Sequence, residues 1–428
     1  MSRSKADDAG GGLSQFGLRR VLVVLCVTEI VSYGVLYYAF PVLAPTIARD
    51  TGWSISALTA AFSAGLVVAA LVGIPAGRWL DRFGPRPVMT TGSVLAVPAL
   101  VGIALAPSLP LFFAAWVLAG AAMAGTLYAP AFAALTRWWG PRRVTALTAV
   151  TLLAGLASTI FAPLTAALLG PLGWLDTYLT LAAVLAATTI PAHMLGLRGP
   201  WPAPEPPAGV AEHAPADIVR SREFRFLVVA VALATFTAYA VVVNQVPLLI
   251  ERGLSTSEAA WALGLGGLGQ VMGRLGYRWL SRALSVRART VAIIAASAIA
   301  TLLLGMLPGP TALLLAAAML AGSARGVFTL LQATAISDRW GATDYGRLNG
   351  LLTAPAMVAT ALAPWAGAAL AEVFGGYPAV FVALAVIASI AAVLAAGSVP
   401  QHATTPAHHH RPEADPIQTR AEHDLRRN

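Results

Sequence analysis

The chain has 428 residues, of which 57% are hydrophobic and 11% charged, with a formal net charge of +9. A water-soluble domain carries about 25% charged residues, so a soluble enzyme or binding module is excluded and the surplus apolar surface has to face lipid. The positive balance does not mark a nucleic-acid binder, because basic residues sit in short loops between apolar runs, and a single cysteine, Cys26, excludes an internal disulfide framework.

A helix needs about 20 apolar residues to cross the hydrocarbon core. After a polar leader, 1–18, six such runs are predicted at about 19–41, 54–77, 87–106, 110–136, 144–169 and 175–196. Six more follow at about 226–250, 258–280, 290–307, 311–336, 348–373 and 377–399. None alternates with a period of two, so the runs read as helices that satisfy their own backbone rather than as strands of a barrel. The first run is too long for a signal-peptide core and lacks a small-residue cleavage site, so no cleavable leader is expected. We number the runs as spans 1 to 12.

Arginine sets the expected orientation. Arg78, Arg82 and Arg86 follow span 2, and Arg137, Arg142 and Arg143 follow span 4. Arg278, Arg282, Arg287 and Arg289 follow span 8, and Arg339 and Arg347 follow span 10, whereas the opposite loops hold only Arg49 and Arg252. The positive-inside rule then places both termini in the cytoplasm. A lone lysine (Lys5) among many arginines, with abundant alanine, suits a GC-rich bacterial genome, and hence a multi-pass protein of the bacterial inner membrane. Two bundles, 19–197 and 226–399, are expected, joined by a linker, 198–225, whose Pro200-Trp201-Pro202-Ala203-Pro204-Glu205-Pro206-Pro207 favours an extended spacer. The tail, 400–428, reads as solvated and disordered. Its His408-His409-His410 lacks a second ligand cluster, so no metal site is expected.

The two halves repeat at an offset of roughly 200 residues. Gly77-Arg78-Trp79-Leu80-Asp81-Arg82 matches Tyr277-Arg278-Trp279-Leu280-Ser281-Arg282, and Trp139-Gly140 matches Trp340-Gly341. Ala162-Pro163 falls on Ala363-Pro364, and Gly173-Trp174 on Gly376-Tyr377. The predicted fold is therefore an all-α membrane protein of twelve transmembrane helices in two six-helix bundles.

The string Gly77-x-x-x-Asp81-Arg82-x-Gly84-x-Arg86 resembles the signature loop of the major facilitator superfamily. Gly77 suits a close helix approach, Gly84 a tight turn, and Asp81 an arginine or a helix N-terminus. The resemblance implies that Gly77, Asp81, Arg82, Gly84 and Arg86 form a latch stabilising one state of an alternating-access cycle. Ser281 and Leu284 replace the acid and second glycine in the second copy, which implies a degraded latch there. Ser32-Tyr33-Gly34, Trp53-Ser54-Ile55-Ser56 and Phe83-Gly84-Pro85-Arg86-Pro87-Val88 resemble the monocarboxylate transporter group. So does Gln270-Val-Met-Gly-Arg274, where that group pairs an acid with the arginine and this chain has glutamine. The rival resemblance, to drug–proton antiporters, would call for an arginine in span 4 and a Gly-Pro-x-x-Gly-Gly string in span 5. Here those places hold Trp116 and Ala162-Pro163-Leu164-Thr165-Ala166.

Ionisable groups at membrane depth are expensive and therefore functional candidates. Glu29 in span 1, Arg274 in span 8 and Arg325 in span 10 lie at comparable depth by helical rise. Glu29, Tyr33 and Tyr37 share one helical face, as do Arg325, Thr329 and Gln332. By resemblance, spans 1 and 10 line the central cavity. Arginine suits carboxylate recognition through its planar fork, with a structural ion pair or a snorkelling anchor as the alternative for Arg274. Tyr33, Tyr37, Gln270, Tyr239 and Asn244 complete the candidate substrate site, with Tyr128 and Gln245 as further hydrogen-bonding groups. Glu29, the carboxylate well inside a span, is the candidate proton carrier, or else the neutraliser of an arginine.

No phosphate-cradling Gly-Lys-Ser/Thr string and no nucleophile beside a base occur, so neither ATP nor any other cofactor is expected, and no enzymatic activity. The expectation is a secondary active transporter, acting as a monomer, for a small organic anion such as a monocarboxylate, with protons as a possible coupling partner. Proton-coupled efflux of a hydrophobic drug or metabolite is the alternative. A non-transporting sensor is the third reading, disfavoured by the short tail.

Overall fold

In a computed structural model of the chain, residues 13–201, 216–341 and 345–400 are described. Most of the polar leader, the centre of the proline-rich linker and the tail with His408–His410 lie outside the described residues.

Among the described residues, ten helical segments are long and apolar enough to cross a membrane. One of them, Arg143–Gly196, is two spans: Gly173 takes φ 71° and breaks the helix there, giving span 5 at 143–172 and span 6 at 174–196. The twelfth helix, Thr256–Ala283, is long enough but less apolar, because glycines, Gln270 and three arginines dilute its hydropathy. It is span 8, and its inner face is buried between spans 5 and 10. The remaining spans are Gln15–Thr51 (1), Ile55–Phe83 (2), Pro85–Ala104 (3), Leu109–Trp139 (4), Arg222–Glu251 (7), Val286–Met306 (9), Thr311–Thr334 (10), Tyr345–Phe374 (11) and Tyr377–Ala396 (12). No strand occurs among the described residues.

Helix starts follow local side-chain chemistry. Ser54 Oγ accepts from the Ala57 amide at 3.1 Å to open span 2. Ser255 and Glu258 form a reciprocal capping box at the head of span 8, at 3.2 and 2.8 Å. Span 1 departs from expectation. The apolar run was expected to stop near residue 41, yet the helix continues to Thr51 and closes on Gly52 at φ 76°. Pro45 sits inside this extension without ending it. The extension is held by burial: Val42, Leu43 and Ile47 are fully enclosed, and it packs against span 7 of the other half.

The repeat reappears as contact geometry. Gly120 of span 4 lies against the Gly65 backbone of span 2, and Gly322 of span 10 against the Gly266 backbone of span 8. These are equivalent crossings in the two halves, and at each a Cβ would collide with the facing carbonyl. Small residues let helix backbones approach where lipid supplies no hydrophobic drive. Gly173 and Gly376, matched in the sequence repeat, both take positive φ at the turn into the last span of their half.

The core divides unevenly across the membrane. On the face away from the arginine-rich loops, one continuous apolar cluster joins both halves, with Phe40, Phe62, Trp116, Val246 and Phe381 among its members. On the arginine-rich face the cluster splits. One set, including Leu25, Ala134 and Trp138, belongs to the first half, and another, including Leu227, Phe328 and Leu352, to the second. The halves meet along two seams, span 5 with span 8 and span 2 with span 11. Thr159 Oγ1 donates to Gly264 O at 2.8 Å across the first, and the Trp365 amide to Ser63 Oγ at 3.2 Å across the second. The bundles are closed together on the far face and parted on the arginine-rich face.

Overpacking a close helix crossing typically costs about 1–3 kcal/mol. Gly322→Val is expected to lower the melting temperature of the purified protein more than Gly346→Val, where nothing stands within 4 Å of the added Cβ. Equal melting temperatures would show that the span 8–span 10 crossing tolerates separation.

Candidate functional site

Between the bundles lies a cavity of about 150 Å³. Span 1 contributes Tyr33, Tyr37 and Tyr38, span 4 Tyr128, and span 7 Tyr239. Spans 8 and 10 contribute Gln270, Arg274, Arg325, Phe328, Thr329 and Gln332. Three neighbouring tyrosines from one helix need more than a 3.6-residue period. Span 1 widens into a π-turn at Gly34–Tyr38, which brings Tyr37 and Tyr38 to the same wall as Tyr33. The Tyr33 ring lies 4.7 Å from that of Tyr128, and Tyr37 meets Tyr239 edge-on at 6.5 Å across the two halves.

The two arginines are held differently. Arg325 donates from Nε at 3.0 Å and from Nη2 at 2.8 Å to the same Gln270 carboxamide oxygen. Arg274 donates through Nη1 to the Thr151 carbonyl of span 5, while its Nε is buried without a partner. Both Arg274 and Gln270 are buried. Among the described residues, neither arginine has a carboxylate within ion-pairing distance: the pairs there are Arg49–Asp50, Arg137–Asp81 and Arg289–Asp338. The resemblance to the monocarboxylate transporter group set Gln270 in the place of an acid that works with Arg274. The observed pair is Gln270 with Arg325, because Gly326 brings span 10 onto the Gln270 backbone and carries its neighbour Arg325 within reach.

Most of the expected site residues therefore converge: Tyr33, Tyr37, Gln270, Tyr239, Arg274 and Arg325 share the cavity, with Tyr128, Thr329 and Gln332. Asn244 does not. Its Nδ2 donates to Ala240 O at 2.9 Å and to Pro364 O at 3.2 Å, tying span 7 to span 11. Gln245 lines a smaller void of about 20 Å³ behind Arg325. Glu29 is fully buried in span 1, and neither carboxylate oxygen has a partner among the described residues. It is absent from the cavity wall and neutralises neither arginine here. Tyr38, Phe328 and Ala154 also line the cavity and were not anticipated, Tyr38 because a π-turn leaves no periodic trace and the other two because an apolar side chain gives no signal.

At the arginine-rich face, Asp81 Oδ1 accepts from Arg137 Nη2 at 2.7 Å, and Arg137 also reaches the Asp81 carbonyl at 3.3 Å. Trp201, at the start of the linker, closes over this pair. Its ring stacks on the Arg137 guanidinium at 4.4 Å and its Nε1 donates to Asp81 O at 3.1 Å. Gly84 turns the loop at φ 81°, and Arg86 Nε donates to Met194 O at 2.8 Å. Arg82 stacks on the adjacent Phe83 at 5.1 Å. The space beside Gly77 is open in this conformation. In the second half the clasp is rebuilt with its charges exchanged. Asp338, in the place of Arg137, pairs with Arg289, which also donates to the Ser281 carbonyl at 3.4 Å.

A profile of the Major Facilitator Superfamily matches residues 25–314 and 227–424. The chain belongs to that superfamily of transporters. It is 32% identical over 259 residues to human (Homo sapiens) monocarboxylate transporter 11, covering 58% of this chain and 53% of that protein. A shorter match, 28% over 128 residues, is to the oxalate:formate antiporter of Oxalobacter formigenes, covering 30% and 29%. A further one, 28% over 228 residues, is to the multidrug resistance protein MdtL of Klebsiella pneumoniae, covering 52% and 56%. The chain thus spans about half the length of the curated relatives it matches first. In fold it is similar to a bacterial homologue of the human lysosomal transporter Spinster, solved inward-facing and unoccupied, with a TM-score of 0.71 at 16% identity, covering 90% and 98%.

A side-chain hydrogen bond between helices contributes about 0.5–1.5 kcal/mol net. Asn244→Ala is accordingly expected to lower thermal stability by that order, read from the melting curve of purified protein. An unchanged melting temperature would remove Asn244 from the span 7–span 11 contact.

Proposed function

We propose that the protein is a secondary active transporter of the bacterial inner membrane, working by alternating access, and that its cargo is a small organic anion of the monocarboxylate type. The observation that carries this reading is a pair of guanidinium groups, Arg274 and Arg325, lining one cavity with no carboxylate among the described residues within ion-pairing distance. Arginine stays charged and presents parallel donors that fit a carboxylate. Gln270 leaves that charge in place: a carboxamide orients Arg325 without cancelling it. Likeness to proteins named for monocarboxylates and for oxalate and formate supports the same class. Export of a neutral hydrophobic compound is the second reading, favoured by likeness to MdtL and by the tyrosine-rich wall. It leaves both guanidiniums without a task.

With the arginine-rich face and both termini in the cytoplasm, the parted bundles correspond to a cytoplasm-open state, and the protein acts as a monomer. Gly77, Asp81, Arg82, Gly84 and Arg86 serve as the conformational latch, with Trp201 tying it to the linker. Glu29 serves as the proton carrier. A carboxyl at this depth whose oxygens have no partner among the described residues is expensive, which makes it the functional candidate of span 1.

Removing one member of a desolvated charged contact costs about 2–5 kcal/mol, or roughly 30- to 5,000-fold in affinity. Arg274→Ala is expected to lose monocarboxylate binding by a factor in that range, and Arg274→Lys to weaken it, while lipophilic dyes are unaffected. Calorimetry on purified wild type and variants decides this: a wild type that binds only dyes, equally well after the substitution, makes the protein an efflux carrier.

Glu29→Gln is expected to abolish pH-driven accumulation in proteoliposomes and to preserve exchange down a substrate gradient. Undiminished accumulation would take Glu29 out of the coupling. Asp81→Asn should reach the membrane in normal amount and turn over slowly; normal turnover would reduce the loop to a topological signal.

A further inference from the structure

Beside the arginine-bearing cavity lies a second, larger chamber of about 510 Å³, and Tyr33, Tyr128 and Tyr239 line both. This chamber lies where spans 2 and 11 part toward the arginine-rich face. Its walls include Leu66, Ala70 and Ile74 of span 2, Met123 of span 4, and Met357 and Ala361 of span 11. No charged residue lines it, and apart from the shared tyrosines Thr360 is its one polar side chain. Two compartments of opposite chemistry thus adjoin across a wall of tyrosines, whose rings are apolar and whose hydroxyls are not.

The volumes assign different parts of a ligand to each side. The charged cavity, about 150 Å³, is smaller than the roughly 300–1,000 Å³ of sites that enclose whole organic ligands, so it holds a carboxylate with a short carbon body and leaves a longer body outside. A very small anion would fill the charged cavity and leave the apolar chamber to water. A ligand with an apolar body attached to its carboxylate occupies both and removes apolar surface from water at both ends of the contact. Resting on the organic-anion reading above, we infer that the substrate is an amphipathic monocarboxylate: its headgroup lies against Arg274 and Arg325, and its alkyl or aryl body lies in the chamber between spans 2 and 11. Ala70 and Gly73 keep that chamber open, since larger side chains at these positions would project into it.

The test is a homologous series of straight-chain monocarboxylates, acetate through hexanoate, titrated into the full chain in lipid nanodiscs, with alkanols of equal length as neutral controls. Burying one methylene is worth about 0.8 kcal/mol, so affinity is expected to rise about fourfold per added carbon. Alkanols should not compete. Ala70→Phe, and independently Met357→Trp on the opposite wall, should flatten the dependence on chain length. Affinity that stops growing after propionate, or a slope that neither substitution changes, overturns the amphipathic substrate while leaving the anion reading standing. If alkanols bind as well as alkanoates and Arg274→Ala weakens neither, the anion reading itself fails, and this inference with it.

Discussion

A guanidinium at membrane depth loses its water, and the loss is tolerable only where the protein supplies hydrogen-bond acceptors or a counter-charge. Here acceptors are supplied and the counter-charge is withheld. Gln270 gives Arg325 one oxygen for two donors, and Thr151 gives Arg274 a backbone carbonyl. Both interactions fix the direction of the fork without cancelling its charge. A glutamate at 270 would place a negative charge where the carboxamide oxygen meets Arg325. Among the described residues the cavity is electrostatically incomplete by itself, and the anionic cargo proposed above would complete it.

That incompleteness depends on how closely the helices pack. Arg325 reaches Gln270 because Gly326 rests on the span 8 backbone, and the same two helices touch again where Gly322 meets Gly266. Lipid offers little hydrophobic drive for helix association, so small-residue contacts carry the packing. Span 8 is a consequence of this. It is the least apolar of the spans because its glycines and polar groups face protein on spans 5 and 10 rather than lipid.

Much of this was legible in the sequence. Continuous apolar runs and one-sided arginine loops gave the twelve spans, since both follow from the cost of exposing polar groups to hydrocarbon. Deep charges marked Arg274 and Arg325, and helical spacing placed Thr329 and Gln332 beside the latter; all four line one cavity. What stayed hidden depends on contacts between helices. The resemblance set Gln270 beside Arg274 on span 8, but the hydrogen-bond partner of Gln270 comes from span 10. Asn244 was a candidate ligand contact with helix-to-helix packing as the alternative, and its side chain bonds Ala240 and Pro364, because a lone polar residue in a span carries no sign of which neighbour it faces. The extension of span 1 to Thr51 was masked by Pro41 and Pro45, which read as a stop in water and are tolerated where tertiary packing supports the helix.

The same repeat that makes two similar bundles also gives them unlike clasps. At the arginine-rich face the first half joins Asp81 to Arg137, and the second joins Arg289 to Asp338, so acid and base have exchanged places at the end of spans 4 and 10. The environments differ as well. Asp81 is 63% exposed, so its pair is screened and weak alone, and Trp201 strengthens it by stacking on Arg137. Arg289 is buried, and the adjacent Arg339 is enclosed by Thr290 and Ser398. A screened clasp opens at small cost and a buried one does not. Each clasp lies within its own bundle, so the exposed Asp81–Arg137 pair is the one that can be broken at small cost while the buried Arg289–Asp338 pair holds its half together.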